Sequence, residues 1–466
     1  MKKFAIIFGS CVSEIQKRAI EELNKSLLDY TFEYPVCCEY QDGADMSRYM
    51  KIYIGTKENN RYIRENSLAV LTKQEEYFIK AENDTVIIEG YDDAGVLYGA
   101  IDFYNKYILE YERPDTDKCW LTSSETEGLP RFECSSSPSV KERGLWTWGH
   151  VIYDYRGYID NMMKLKMNSV IIWNDFAPAN AREIVNYAHS RNIRVIWGFS
   201  WLWDTNCGSV DIKHLEGHAE TIFSKYEAEY ADLGADGIYF QTFTELSDDH
   251  IDGVMVAKAA ADFVNETVAR FYAKYPSLEI QFGLHAPSVK NRLEFIKTVD
   301  SRVRIVWEDC GAFPFDYNPN DVEGFDETKS FVGKIVQLRG AAEKFGAVTK
   351  GLVKLDWASF EHAQGAYYVG VSSEYMKRNR VERKKTIWRY IQSGWLAHSD
   401  KAQEMVREMC RAKNGDLSIY ALVEDGMFEQ NIMYPVAVYS EMLWDCECEP
   451  EQLVQKVALR NYVTFA

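Results

Sequence analysis

Carboxylates gather at the points where short apolar runs of this chain give out. Glu245 stands in ADGIYFQTFTELSDDH, just past such a run and just before an acidic turn. Glu308 and Asp309 follow RIVW, Asp356 and Trp357 follow GLVKL, and Glu424 and Asp425 follow SIYALV. Trp173, Asn174 and Asp175 close SVIIW; Trp201, Trp203 and Asp204 come after RVIWGF. Trp148, Gly149 and His150 end another run, Trp307 precedes Glu308, and His285 follows EIQFGL. Acids beside flat indoles suit one chemistry in particular. A carboxylic acid protonates the leaving oxygen of a glycosidic bond, and a second carboxylate activates water or attacks the anomeric carbon. Trp faces hold the apolar C–H side of the sugar ring.

Each of these residues also has a structural reading. Glu245 could be a helix-start acid favoured by the macrodipole. Glu308 and Asp309 are adjacent, so only one can point inward along a strand. Asp356 could pair with Lys354, Asn174 or Asp175 could cap the next helix, and His285 could serve a loop. A single Trp is more often core than platform, but a rim made up of such residues is not explained by packing alone.

Other chemistries are weaker. His214 and His218 lie four apart in HLEGH, which is not the His-Glu-x-x-His order of a zinc helix. No Gly-x-Ser-x-Gly elbow, phosphate loop or dinucleotide fingerprint is present. No cofactor and no metal is expected. The 10 Cys are scattered, without a Cys-x-x-Cys pair, and read as free thiols in a reducing compartment; Cys446-x-Cys448 lacks usual zinc spacing.

The elements that must position the acids follow from periodicity. Strands are expected at Gly144–Trp148, Ser169–Asn174, Arg194–Phe199, Gly237–Thr242, Glu279–Leu284, Arg304–Trp307, Gly351–Leu355 and Ser418–Leu422. Between them fit helices at Tyr158–Lys166, Ala181–Arg191, Val254–Tyr275, Asn291–Val299, Thr328–Phe345 and Lys384–Leu396. Eight strand–helix units predict a (β/α)8 TIM barrel at 141–466, whose strand ends form the active face. An open doubly wound sheet would be expected to carry a Gly-rich turn that is absent. Residues 1–125 alternate short strands and helices and predict a small α/β domain, with a polar linker at 126–140. Asp92 or Asp93 can cap the helix opened by GYDDAG. The initial run Phe4–Phe8 is short for a signal core and is expected to be a first strand.

The formal charge of −18 disfavours nucleic acid and anionic lipid as partners, and no stretch nears the length of a membrane span. A cytoplasmic protein acting on an oligosaccharide or glycoside is expected. A homodimer would be compatible with such a barrel.

Two segments carry a resemblance. VIIEGYDDAGVLYGAIDFYNKYI resembles the end of the small α/β domain that precedes the barrel in family 20 β-N-acetylhexosaminidases and in α-glucuronidases. The stretch from Arg143-Gly144 through Lys166-Met167-Asn168 to Ile196 resembles the first barrel units of the hexosaminidases. The tail YSEMLWDCECEPEQLVQKVALR resembles the closing helix of such barrels. The resemblance implies a glycoside hydrolase in which Arg143 holds sugar hydroxyls and Glu245 is the general acid after strand four. Hexosaminidases carry an Asp directly before that Glu, where this chain has Thr244, and a His after strand two, where it has Trp173-Asn174. The α-glucuronidases, with a lone Glu after strand four, are closer at this point. The resulting expectation is an exo-acting glycosidase for a hexosamine or hexuronate type of sugar. Glu245 is its acid, Asp309 the first and Asp356 the second choice for base or nucleophile, and Glu308 a further candidate. Arg143, Trp173, Asn174, Asp175, Trp201, His285, Trp307, Trp357 and Glu424 would shape the pocket. The alternatives are a hexosaminidase with an altered assisting residue, or a barrel that binds glycan without cutting it.

Overall fold

The computed structural model describes residues 3–105, 131–202, 210–308, 324–353, 365–413, 415–423, 428–460 and 462–466. They form two compact units, one of Met1–Pro138 with Ser190–Asn192 and Gln455–Asn461, the other holding the rest.

The first unit is a six-stranded sheet. Its strands are β1 (Lys3–Phe8), β2 (Val36–Glu39), β3 (Tyr49–Gly55), β4 (Tyr77–Glu82), β5 (Thr85–Gly90) and β6 (Phe132–Ser136), in the order β2-β1-β3-β5-β4-β6. Lys3–Phe8 reads as a nearly continuous apolar run because it lies inside the sheet, parallel to β2 and β3. Helices α1 (Glu14–Thr31), α2 (Arg61–Asn66) and α3 (Asp93–Asp102) accompany the strands. Asp92 caps α3, its carboxylate accepting from Gly95 N–H at 2.8 Å. A Cβ on Gly90 would lie 2.2 Å from the Val96 nitrogen, so the GYDDAG turn requires glycine there. Residues 132–136, expected within the linker, instead add an edge strand antiparallel to β4. FECSS alternates in exposure over only five residues, too short a run to stand out from a polar, Ser-rich stretch.

The second unit is a closed eight-stranded parallel barrel, a TIM barrel. Its strands are β7 (Glu142–Trp148), β8 (Ser169–Trp173), β9 (Arg194–Gly198), β10 (Gly237–Gln241), β11 (Glu279–His285), β12 (Arg304–Glu308), β13 (Phe345–Leu352) and β14 (Leu417–Val423). The ring closes where Ser418–Leu422 pairs with Glu142–Trp146. Helices α4 (Tyr155–Lys164), α5 (Ala181–His189), α6 (His218–Glu229), α7 (Val256–Lys274), α8 (Leu293–Ile296), α9 (Phe325–Ile335), α10 (Glu374–Ala412) and α11 (Tyr434–Trp444) follow the strands in turn. Among the described residues no helix is long and apolar enough to cross a membrane.

The period-two rule divides each strand between barrel interior and helix layer. Trp146, Ile171, Ile196, Tyr239, Val306, Val348 and Tyr420 share one interior cluster. Toward the N-terminal ends the interior is ionic. Arg304, 1% exposed, pairs with Glu142 at 3.1 Å, Glu279 at 3.3 Å and Asp416 at 2.9 Å. Arg194 pairs with the same Glu142 at 3.0 Å and Glu279 at 2.8 Å. Each buried charge thus meets opposite charges, which is what keeps the burial tolerable.

Strand seven is displaced from the expected Gly351–Leu355. Arg339 explains why the helix before it stops early. It is buried and donates to Val303 O at 2.7 Å and Asp300 O at 3.2 Å, which ties the chain to the turn preceding β12. The expected helix through Phe345 therefore ends at Ile335, and β13 begins at Phe345.

Candidate active site

At the C-terminal mouth of the barrel, β10, β11, β12 and β13 turn Tyr239, Gln241, His285, Glu308 and Lys350 toward one another. Glu308 is the centre. Its side chain is 2% exposed, and one carboxylate oxygen accepts from both Tyr239 Oη and Gln241 Nε2. The other oxygen faces His285 Nε2 at 3.0 Å and Lys350 Nζ at 3.6 Å. Burial alone would push this acid up. The charges of His285 and Lys350, with hydrogen bonds from His285 and Tyr239, win and hold it down to about 2. Glu308 is therefore a fixed anion. Tyr239 moves the other way: burial, the Glu308 charge and their shared hydrogen bond raise its phenol well above the usual range, so it stays a donor.

The close approach depends on Gly283 of β11. A Cβ there would sit 2.0 Å from Tyr239 Oη and 2.7 Å from the Glu308 oxygen. Only glycine leaves the Tyr239 hydroxyl room to reach Glu308.

Glu245 lies just past β10. Its side chain is 44% exposed, and one oxygen is 3.8 Å from His285 Nδ1. His285 itself is buried. The imidazole thus stands between two carboxylates, Nε2 against the buried Glu308 and Nδ1 toward the open Glu245. An exposed acid whose neighbouring ring is fixed from behind can meet a ligand oxygen at the mouth and exchange a proton with it.

Other expected residues lie elsewhere. Arg143, 1% exposed, is at the N-terminal end of β7. Its guanidinium donates to Val140 O at 2.8 Å, Lys141 O at 3.0 Å and Lys166 O at 2.9 Å, and lies over Trp444. Those carbonyls, not sugar hydroxyls, occupy it, because the residue enters the strand five positions before the mouth-side Trp148 reaches the rim. Trp201 is fully buried, stacked on Phe240 at 3.8 Å and on Phe271 of α7 at 5.3 Å, so it packs barrel against helix. Trp307 alternates with the inward Val306 and Glu308 and lies 6.1 Å from Phe331 of α9. Neither indole offers a free face. Trp173 is interior, edge-on to Tyr239 at 6.2 Å and covered beneath the mouth. Asn174 is buried; its amide donates to Phe176 O, and its own carbonyl accepts from Tyr230 Oη at 2.8 Å. Asp175 is half-buried, and its backbone carbonyl accepts from Lys225. Thr244 is buried, its carbonyl accepting from Ser288 Oγ at 2.6 Å. Asp309, Asp356, Trp357 and Glu424 lie outside the described residues, as do Trp203, Asp204 and Asp425.

His214 pairs with Asp211 at 2.8 Å on the surface. Among the described residues, no group of three or more His, Cys, Asp or Glu side chains is arranged to hold a metal ion.

Sequence reasoning missed Tyr239, Gln241 and Lys350. All three lie within strands, away from the carboxylates and indoles that mark the strand ends. For Tyr239 and Gln241 the signal was available: two hydrogen-bonding residues at i and i+2 on the face expected to be core. Lys350 was hidden by the displaced strand.

No family model and no curated protein matches this chain. Solved structures do. A β-N-acetylhexosaminidase from Bacteroides fragilis NCTC 9343 superposes with a TM-score of 0.56 at 12% identity, over 100% of this chain and 93% of that one. A GH115 4-O-methyl-α-glucuronidase with specificity for decorated arabinogalactans gives 0.56 at 10% identity, over 98% of this chain and 58% of that one. A GH138 enzyme targeting pectin rhamnogalacturonan II gives 0.53 at 12% identity, over 97% of this chain. This chain spans 65% of that enzyme's length. The small α/β unit and barrel are the fold these glycoside hydrolases share with it.

Proposed function

We propose that the protein is a glycoside hydrolase that releases a terminal sugar from a glycan, with Glu245 as the general acid. The observation that carries this reading is the exposed Glu245 carboxylate at the barrel mouth, 3.8 Å from a His285 whose far nitrogen is anchored on the buried anion of Glu308. Active sites of this fold lie at that mouth. The glycoside hydrolases that share the fold support the class of reaction, though their named targets differ and select no single sugar.

In this reading His285 is a positioning residue. Glu308, Tyr239, Gln241 and Lys350 fix its ring, and its Nδ1 side orients Glu245 toward the glycosidic oxygen. Glu308 is not the base or nucleophile, because its oxygens are committed to four side chains inside the barrel. Asp309 and Asp356 remain the proposed sources of the second carboxylate, and the pocket walls are proposed to include Trp357 and Glu424. A substrate of hexosamine or hexuronate type fits the resemblance. Acetamido-assisted cleavage is disfavoured by Thr244, whose buried side chain has no charge to steady an oxazolinium ion.

The test is hydrolysis of nitrophenyl glycosides by the wild-type protein and by Glu245→Gln. Turnover in the first and a loss of about 10²–10⁴-fold in the second, with sugar binding kept, is expected. Equal turnover in both would remove Glu245 from the mechanism.

A further inference from the structure

Gln403, Arg407 and Cys410 follow one another along α10 at the i, i+4, i+7 spacing of a single helix face. All three meet the segment that follows α11. Gln403 Nε2 donates to Cys446 O at 3.1 Å. Arg407 donates through Nε to the same carbonyl at 2.6 Å and through Nη2 to Cys448 O at 2.9 Å. One turn further on, the Cys410 and Cys446 thiols lie against each other. Ser139 completes the cluster: its carbonyl lies 3.9 Å from Cys410 Sγ, and Cys446 N–H donates to its hydroxyl at 3.2 Å. Both cysteines are free thiols, Cys446 buried and Cys410 half-buried. They sit where α10 ends before β14 and where α11 has just ended, at the barrel end opposite the mouth.

We propose that Cys410 and Cys446 are a dithiol modification site, closed to a reversible disulfide by hydrogen peroxide. The Cys446 thiolate attacks one peroxide oxygen and the O–O bond breaks. This leaves a sulfenic acid on Cys446 and a hydroxide that takes up a proton to become water. The Cys410 sulfur then attacks the sulfenic sulfur; the S–S bond forms, the S–O bond breaks, and the Cys410 proton leaves with the hydroxyl as a second water. Two thiols and one peroxide thus become one disulfide and two waters. The division of labour follows from the surroundings. The adjacent Cys410 thiol, against the opposing effect of burial and helped by Ser139, holds Cys446 down to about 7. The same thiol–thiol contact, with burial, pushes Cys410 well up, so it stays protonated until it attacks.

The bond would enclose β14 and α11, the elements that complete the barrel against β7. Tyr439 of α11 already donates to Gly144 O and Ile419 O, both at 3.1 Å, across that seam. A covalent loop there restricts the unfolded chain, and a rise in Tm of about 5 °C is expected.

The experiment uses the full chain treated with stoichiometric hydrogen peroxide, then blocked with an alkylating agent and mapped without reduction. The expected result is a Cys410 peptide joined to the peptide holding Cys446, with fragment spectra placing the bond on Cys446. The Tm rise should reverse with dithiothreitol, persist in Cys448→Ser and vanish in Cys410→Ser. Two results would overturn the proposal. One is alkylation of both thiols after the exposed Cys11 and Cys37 have been oxidised. The other is a bond to Cys448 in place of Cys446. Both readouts come from the wild-type protein, so neither depends on a variant folding or on any glycosidase activity.

Discussion

Glu308 is a buried charge whose partners would be stranded by its loss. Glu308→Gln keeps the shape but leaves Lys350 and the Nε2 side of His285 without their anion. The expected cost is about 3–5 kcal/mol of stability, read as a lower urea midpoint at unchanged slope. Unaltered stability would mean that the carboxylate is dispensable to the network. His285→Asn tests the positioning role in a different way. It should lower kcat about tenfold or more and leave KM nearly unchanged, because the ring is proposed to orient an acid rather than to hold the sugar. A change confined to KM would make it a substrate contact instead. Glu245, His285 and Glu308 were all visible in the sequence as polar residues at strand ends. Their division into an open acid, a ring and a fixed anion was not, since it depends on which side of a closed barrel each strand presents.

Among the elements, β11 sets the tightest constraint. Gly283→Ala would drive a methyl into the Tyr239 hydroxyl, 2.0 Å from the ideal Cβ. The expected loss is about 1–3 kcal/mol, together with lower activity as the Tyr239–Glu308 bond opens. A variant as stable and active as wild type would show that the strand can shift without consequence. Trp201→Ala should cost about 3–5 kcal/mol through the cavity between Phe240 and Phe271, with the KM of the folded fraction unmoved; a selective rise in KM would restore Trp201 to the sugar site. Seven of the eight barrel strands fall close to where alternation and apolar runs predict them, because each is a short apolar run of strand length. The exception, β13, shows the limit of local reading. FGAVTKGL and the overlapping GLVKL are both strand-like, and Arg339 reaching back to Val303 and Asp300, with pairing of Phe345 to Ile305, selects between them. For the same reason Trp307 and Trp201 read as rim residues: a helix-facing indole and a mouth-facing one look alike until the strand's inward phase is known.

For the whole molecule, ionic groups at both ends of the barrel tie stability to pH. Burial would raise Glu279, but Arg304 and Arg194 hold it down to about 2, as Glu308 is held at the other end. Both folded values lie below the ordinary carboxylate value of about 4.3, so the unfolded chain binds these protons first. Their stabilisation is fully present at neutral pH. It drains away as pH falls from about 4.5 toward about 2. The urea midpoint should drop steeply through that window, and a flat profile would contradict the network. The two-unit organisation and the barrel class were legible in the alternation of elements, whereas β6 was not, being a short edge strand whose partner β4 lies far back in the chain. The most direct test of the account remains turnover at the barrel mouth. The wild-type protein should release a single sugar from at least one member of a panel of N-acetylhexosaminides, hexosides and hexuronides, and Glu245→Gln should abolish that release while calorimetry still detects the sugar. Release that survives in Glu245→Gln, or sugar binding without turnover on any member by the wild-type protein, would contradict it.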